Sequence, residues 1–188
     1  MVLICFRLIC PTFDSLMLTE DVHPVLLPPE RLLAECRLRL VRRGGPGGQH
    51  RNKVETGVEL THVPTGVRAE ATERRGQAVN RSVALRRLRV NLALAVRTAP
   101  TTPAEPSALW RSRRSAAGIL RVAADHEDFP AVLAEALDAI GRFEDDLRQA
   151  AEALGTSPSQ LVKLLGKEPR ALAAVNQRRR DRGLAALR

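Results

Sequence analysis

A chain of 188 residues, 44% of them hydrophobic, is long enough for one ordinary domain or two small ones and apolar enough to bury a core, which excludes wholesale disorder. Its apolar runs fall short of the roughly 18 residues that a membrane span needs, and three cysteines at 5, 10 and 36 match neither a disulfide scaffold nor a zinc finger. The formal net charge of +9, with 27 arginines against 3 lysines, points to a polyanionic partner gripped by two-pronged phosphate contacts, or equally to a basic surface that is merely solvated.

In chain order, residues 1–27 read as an N-terminal extension. The apolar run at its start is broken by Arg7 and has no small-residue cleavage site, so it is a poor secretory signal, and Met17 offers a later start. Pro28, Pro29 and Glu30 predict a short helix over 30–35, because proline fits a first helical turn and a carboxylate suits the positive end of the helix dipole. From Cys36 to Arg43 the residues alternate, with Cys36, Leu38 and Leu40 on one side and Arg37, Arg39 and Arg42 toward the other, which predicts a half-buried strand. A glycine-rich loop, GGPGGQ, follows at 44–49. Val58–Val63 and Val67–Ala71 predict two more strands, joined by a turn at Pro64-Thr65-Gly66. Residues 77–97 place Val79, Val83, Leu85, Leu88, Leu92, Leu94 and Val96 among arginines, the spacing of a long helix with one basic face and one face on the sheet.

Together these elements predict an α+β domain over 28–97, a mixed sheet under a long basic helix. Residues 98–115 carry Pro100, Pro103 and Pro106 among threonine and serine and read as a linker. Beyond it, 116–188 reads as an all-α module. Phe129-Pro130 opens one helix there, and Ser157-Pro158-Ser159-Gln160 is a capping box in which serine accepts from the third amide and glutamine reaches back. Ala151, Gly155, Leu161 and Leu164 have the spacing of a helix-turn-helix, with Ser157, Gln160 and Lys163 near the start of a recognition-like helix; two packed helices joined by a capped turn fit the same pattern. Asp145 and Asp146 read as part of a solvated acidic face.

The charge is unevenly spread. Residues 31–97 hold 15 basic and 5 acidic side chains, 125–152 hold 2 and 9, and 163–188 hold 8 and 2. Two basic blocks around an acidic helical one suit a bipartite grip on nucleic acid. No Phe or Trp lies between 31 and 97, and the chain has no Tyr, so this block is expected to read RNA through phosphates and shape rather than by stacking bases. The candidate RNA contacts are Arg42, Arg43, His50, Arg51, Asn52 and Lys53 around the loop, Arg74 and Arg75 ahead of the long helix, and Arg178, Arg179 and Arg180 in the tail. The tail reads equally as a solvated helix terminus. His23, His50, His62 and His126 lack ligand spacing, so neither a metal nor a cofactor is expected.

The loop carries the chemistry. Gly47 and Gly48 expose backbone amides with no side chain in the way, and Gln49 offers an amide that donates and accepts but does not titrate. Such a tip suits placing a water against an ester carbonyl and holding the oxyanion on a backbone N–H, and not general acid–base work. A bare Gly-Gly-Gln is also an ordinary surface turn. Its surroundings say more: Gly45-Pro46-Gly47-Gly48-Gln49, His50, Asn52, Thr56, the hairpin from Thr61-His62 to Thr65-Gly66, and the basic helix from Gln77 keep order and spacing over 44–94.

This stretch resembles the catalytic domain of bacterial class I peptide chain release factors. The resemblance implies hydrolysis of the ester between nascent peptide and P-site tRNA in the peptidyl transferase centre of the large ribosomal subunit. Gly47, Gly48 and Gln49 would be the catalytic tip. The Gln49 backbone amide would support the transition state and its side chain would screen nucleophiles, while the 2′-hydroxyl of the terminal tRNA adenosine would assist the proton shuttle. Gln49 would also be a site for N5-methylation. Arg43, Arg51 and Glu59 depart from the family pattern; they flank the tripeptide without altering it and leave recruitment as the open question. Because the loop begins at residue 44, close to the start of the chain, and a basic C-terminal segment follows, the architecture resembles codon-independent rescue hydrolases, the alternative ribosome-rescue factor B and its mitochondrial relatives. The expectation is a cytoplasmic, ribosome-dependent peptidyl-tRNA hydrolase, with a non-catalytic ribosomal RNA binder or a helix-turn-helix regulator as alternatives.

Overall fold

The computed structural model describes residues 17–19, 22–42, 56–98 and 105–188. A short strand β1 (Met17–Thr19) is followed by a single 3₁₀ turn at Pro24–Leu26 and the helix α1 (Pro29–Ala34). Pro29 occupies the first turn of α1 and Glu30 lies beside it, as the sequence predicts. Three strands then form one sheet: β2 (Cys36–Val41), β3 (Gly57–His62) and β4 (Arg68–Ala71), in that spatial order.

This sheet is antiparallel throughout rather than mixed. For β3 and β4 the direction is set locally, since a tight turn can only return the chain antiparallel and Gly66, at φ 67°, supplies the left-handed residue that closes it; for β2 it follows from pairing with β3. The parallel pairing, Met17 opposite Val96, belongs to a separate two-stranded sheet of β1 with β5 (Val96–Thr98). Residues read from sequence as part of an extension thus enter the fold, and Val25, just downstream, is buried in the core.

The long helix α2 (Gln77–Ala95) lies over β3 and β4, where Ala84, Leu88 and Leu92 bury Val58, Leu60, Ala69 and Ala71. Leu38 and Leu40 point to the same side, opposite Leu60 and Val58 in the register. They stay 40% and 37% exposed, because α2 sits over the other two strands. The expected single basic face of α2 is also divided. Its C-terminal half packs on a second core through Ala93, and its arginines reach across to backbone carbonyls: Arg86 to Ala124, Arg87 to Glu70 and Arg89 to Val25 and Leu27. Arginine can do both jobs, since its stem covers apolar surface while its head finds acceptors.

The second core belongs to five helices: α3 (Ala108–Arg113), α4 (Phe129–Arg142), α5 (Leu147–Ala153), α6 (Pro158–Gly166) and α7 (Pro169–Asp181). Where the sequence reads as linker, Ser107 caps α3, and Trp110 is wholly buried, its indole N–H donating to the Leu154 carbonyl at 2.9 Å. The turn between α5 and α6 has Gly155 at φ 61°, with Arg114 packed where a Cβ would stand. Ser157 caps α6 by accepting from the Gln160 amide. The Gln160 side chain does not complete the capping box; its Oε1 accepts from the Leu120 N–H at 3.2 Å, because Leu120 brings a backbone amide within its reach. Among the described residues no helix is long and apolar enough to cross a membrane.

A buried polar seam joins the two cores. The His23 ring accepts from the Val25 amide and its Nε2 donates to the Val96 carbonyl. Burial pulls this imidazole from 6.5 down to about 4. Beside it, Arg97 donates to the carbonyls of Ala93, Leu94 and Val96, and burial lowers it to about 10. Asp138 on α4 accepts from the hydroxyl and amide of Thr98, and burial raises its carboxyl above the ordinary range.

Candidate functional site

The glycine-rich loop itself, with Arg43, Gly47, Gly48, Gln49, His50, Arg51, Asn52 and Lys53, lies outside the described residues. What the structure gives is the stem on which that loop stands. β2 and β3 pair out to Val41 opposite Gly57, so the chain leaves and returns on adjacent strands. Gly57 is fixed by crowding: a Cβ there would come within 2.7 Å of the Val41 carbonyl, the Val41 side chain and the Thr72 methyl. Arg42 follows β2 on the exposed side of this junction.

The bend before α2 is tied to the same stem. Asn80, wholly buried, donates from Nδ2 to the carbonyl of Thr56 at 2.7 Å and to that of Arg74 at 2.9 Å. Its Oδ1 accepts from the Arg74 amide at 2.9 Å. Glu73 accepts from the Thr72 amide and pairs with Arg87 at 2.7 Å. Backbone N–H groups of Glu73 and Thr72, then Arg87, hold the Glu73 carboxyl below its ordinary value. Arg74 and Arg75 thus stand exposed on a fixed bend, next to the residue that ends the loop. Arg42, Arg74 and Arg75, named separately in the sequence, are brought to one end of the sheet.

At the opposite end of β3, His62 is buried between the Thr65 hydroxyl at 2.7 Å and the Glu35 carboxylate at 3.0 Å. It ties the hairpin turn to the end of α1. The Thr65 hydroxyl is itself buried, so the trio is a clamp and not a nucleophile with its base.

The C-terminal arginines are treated differently. Asp145 lies in the turn between α4 and α5 at φ 65° and is 0% exposed, paired with Arg178 at 2.8 Å and Arg182 at 3.0 Å. Arg179 donates to the Asp145 and Ala185 carbonyls, and Arg180 is exposed with a hydrogen bond to Gln177. The expectation of a solvated acidic face fails at Asp145, whose carboxylate is enclosed by the arginines of α7; Asp146 caps α5 instead. Sequence reasoning singles out neither Asn80 nor Asp145 as a site or clamp residue. Asn80 does leave a signal, a polar residue in the row Asn80, Ala84, Leu88, Leu92 that is otherwise apolar and buried. Asp145 leaves none, since its partners lie more than thirty residues away. Among the described residues, no group of histidine, cysteine and carboxylate side chains could hold a metal ion.

Residues 32–120, which run from the end of α1 through the antiparallel sheet, the loop and α2, match the family model described as the RF-1 domain. Over that stretch the chain is class I release factor-like. It is 43% identical over 76 residues to the protein named peptide chain release factor PrfB1, chloroplastic, of Arabidopsis thaliana, covering 40% of this chain and 16% of that one. It is 43% identical over 58 residues to peptide chain release factor 1 of Dictyoglomus thermophilum, covering 31% and 16%. With peptide chain release factor 1 of Symbiobacterium thermophilum it shares 44% over 59 residues, covering 31% and 17%. The chain spans about a sixth of the length of these relatives.

Proposed function

We propose that the chain hydrolyses the ester of peptidyl-tRNA on the ribosome, and that it does so without reading a codon. The observation that carries this reading is the sequence Gly47-Gly48-Gln49 inside an RF-1 domain match, set on a stem that Gly57 and Asn80 hold rigid beside exposed arginines. In this reading the Gln49 backbone N–H donates to the oxyanion that forms as water attacks the ester carbonyl. The Gln49 side chain limits which nucleophile reaches that carbonyl, and N5-methylation would leave it one N–H. The tRNA 2′-hydroxyl carries the proton, so no carboxylate or imidazole of the protein is needed. Gly47 and Gly48 leave the tip narrow enough to enter the peptidyl transferase centre.

Arg42, Arg74 and Arg75 meet ribosomal RNA phosphates around the stem, joined by Arg43, His50, Arg51, Asn52 and Lys53 of the loop. In the tail, Arg180 is the residue best placed for RNA. Codon independence is supported by the order of parts, a release factor-like domain followed by a basic helix, which resembles rescue hydrolases of the cytoplasm. The test is release of labelled peptide from purified ribosomes carrying P-site peptidyl-tRNA, with the A site empty, at a sense codon or at a stop codon. Equal release in the three complexes is expected. Release confined to the stop codon overturns codon independence, and no release from any complex overturns the reading as a whole.

A further inference from the structure

We infer that Asn80 is the positioning residue of the glycine-rich loop, a buried amide that clips the returning end of the loop to the arginine-bearing bend. All three hydrogen bonds run from its side chain to backbone: to the carbonyls of Thr56 and Arg74 and from the amide of Arg74. Both Nδ2 protons and Oδ1 are used. With 0% exposure, no water can take over these bonds when the amide is removed.

Two features separate this clip from ordinary helix capping. The N-cap of α2 is Gly76, which has no side chain to cap with, and Asn80 does not serve the free amides of α2 either; it reaches out of the helix to Arg74 in the bend before it and to Thr56, the residue just ahead of β3. Its partner Thr56 is also the neighbour of Gly57, the residue locked between Val41 and Thr72. The end of the loop is therefore held by sterics at one residue and by hydrogen bonds at the one before. A side chain that binds the backbone of both Thr56 and the Arg74 bend sets where the chain rejoins the sheet, and small misplacements of a reacting group are costly, about 100-fold for roughly 1 Å.

The inference rests on the proposed hydrolysis for its consequence, though not for its geometry, and the experiment separates the two. Asn80→Asp keeps the shape but sets a carboxylate oxygen against two carbonyls, which expels the side chain and frees the Arg74 amide as well; Asn80→Ser is too short to keep the Arg74 amide and serves if the first variant folds poorly. Asn91→Ala is the control, a residue of the same helix whose Nδ2 donates to the Arg68 carbonyl, away from the stem. Amide exchange is measured residue by residue, and peptide release by its kcat and KM. In both Asn80 variants, exchange at Arg74 and Gly57 rises while α4 stays protected, kcat falls on the order of 100-fold and KM is unchanged; the control changes neither. Unchanged exchange at Arg74, exchange raised throughout the chain, or a loss confined to KM overturns the clip. A wild-type chain that releases no peptide, with exchange in the variants still raised only at the stem, overturns the hydrolase reading and leaves the clip standing.

Discussion

The arginines at the loop stem and those on α7 are the same side chain at similar density, yet the fold puts them to opposite uses. Arg74 and Arg75 project from a bend whose backbone is satisfied by Asn80, and neither has a side-chain partner among the described residues. Arg178 and Arg182 close over a carboxylate that has no exposure at all. What separates the two sets is the presence of a buried acceptor within reach. A buried charge demands a partner, so Arg178 and Arg182 are drawn inward, while Arg74 and Arg75 meet no such buried carboxylate among the described residues.

Removing the sink's partners is the strongest way to break this contrast. Arg178→Ala combined with Arg182→Ala leaves Asp145 buried and unpaired, and is expected to cost about 3–5 kcal/mol, read as a lower denaturant midpoint. A change near zero would mean that α7 is not held by Asp145.

The seam between the two cores gives the next largest effect. The unfolded chain takes up a proton at His23 near pH 6.5, whereas the folded chain resists it down to about 4. Stability from this group is therefore complete above about 6.5 and is lost as pH falls toward 4, by about 3 kcal/mol at most. In His23→Gln the slope of stability against pH across that window should flatten; an unaltered slope would place the titration elsewhere.

The smallest stability effect belongs to the stem. Arg74→Ala with Arg75→Ala should change folding stability by less than about 0.5 kcal/mol. The same pair should weaken ribosome association and reduce its logarithmic salt dependence by roughly 0.7 to 0.9 for each phosphate that is no longer neutralised. An unaltered salt dependence would remove the stem arginines from the RNA interface.

Much of the sheet and α2 is legible in the sequence because the signals are local. Period-two alternation marks Cys36–Val41, a proline–glycine turn marks the hairpin at 64–66, and i+4 spacing marks α2. The glycine-rich loop is legible as a motif. What the sequence hides are pairings between distant residues: Trp110 under Leu154, His62 between Glu35 and Thr65, and Asp145 under Arg178. In each, a residue that looks polar or linker-like in its own neighbourhood is claimed by a partner that the local pattern does not contain. The antiparallel sheet reads as mixed for a related reason, since strand direction follows from which strands become neighbours.

The hydrolase account is tested most directly at one backbone hydrogen. Gln49→Pro removes the N–H that the account assigns to the oxyanion, whereas Gln49→Ala keeps it and removes the side chain. On ribosomes loaded with labelled peptidyl-tRNA, Gln49→Pro should slow release by about 100- to 1,000-fold, with Gln49→Ala retaining more of the rate and accepting bulkier nucleophiles. Release by Gln49→Pro at the wild-type rate would contradict it.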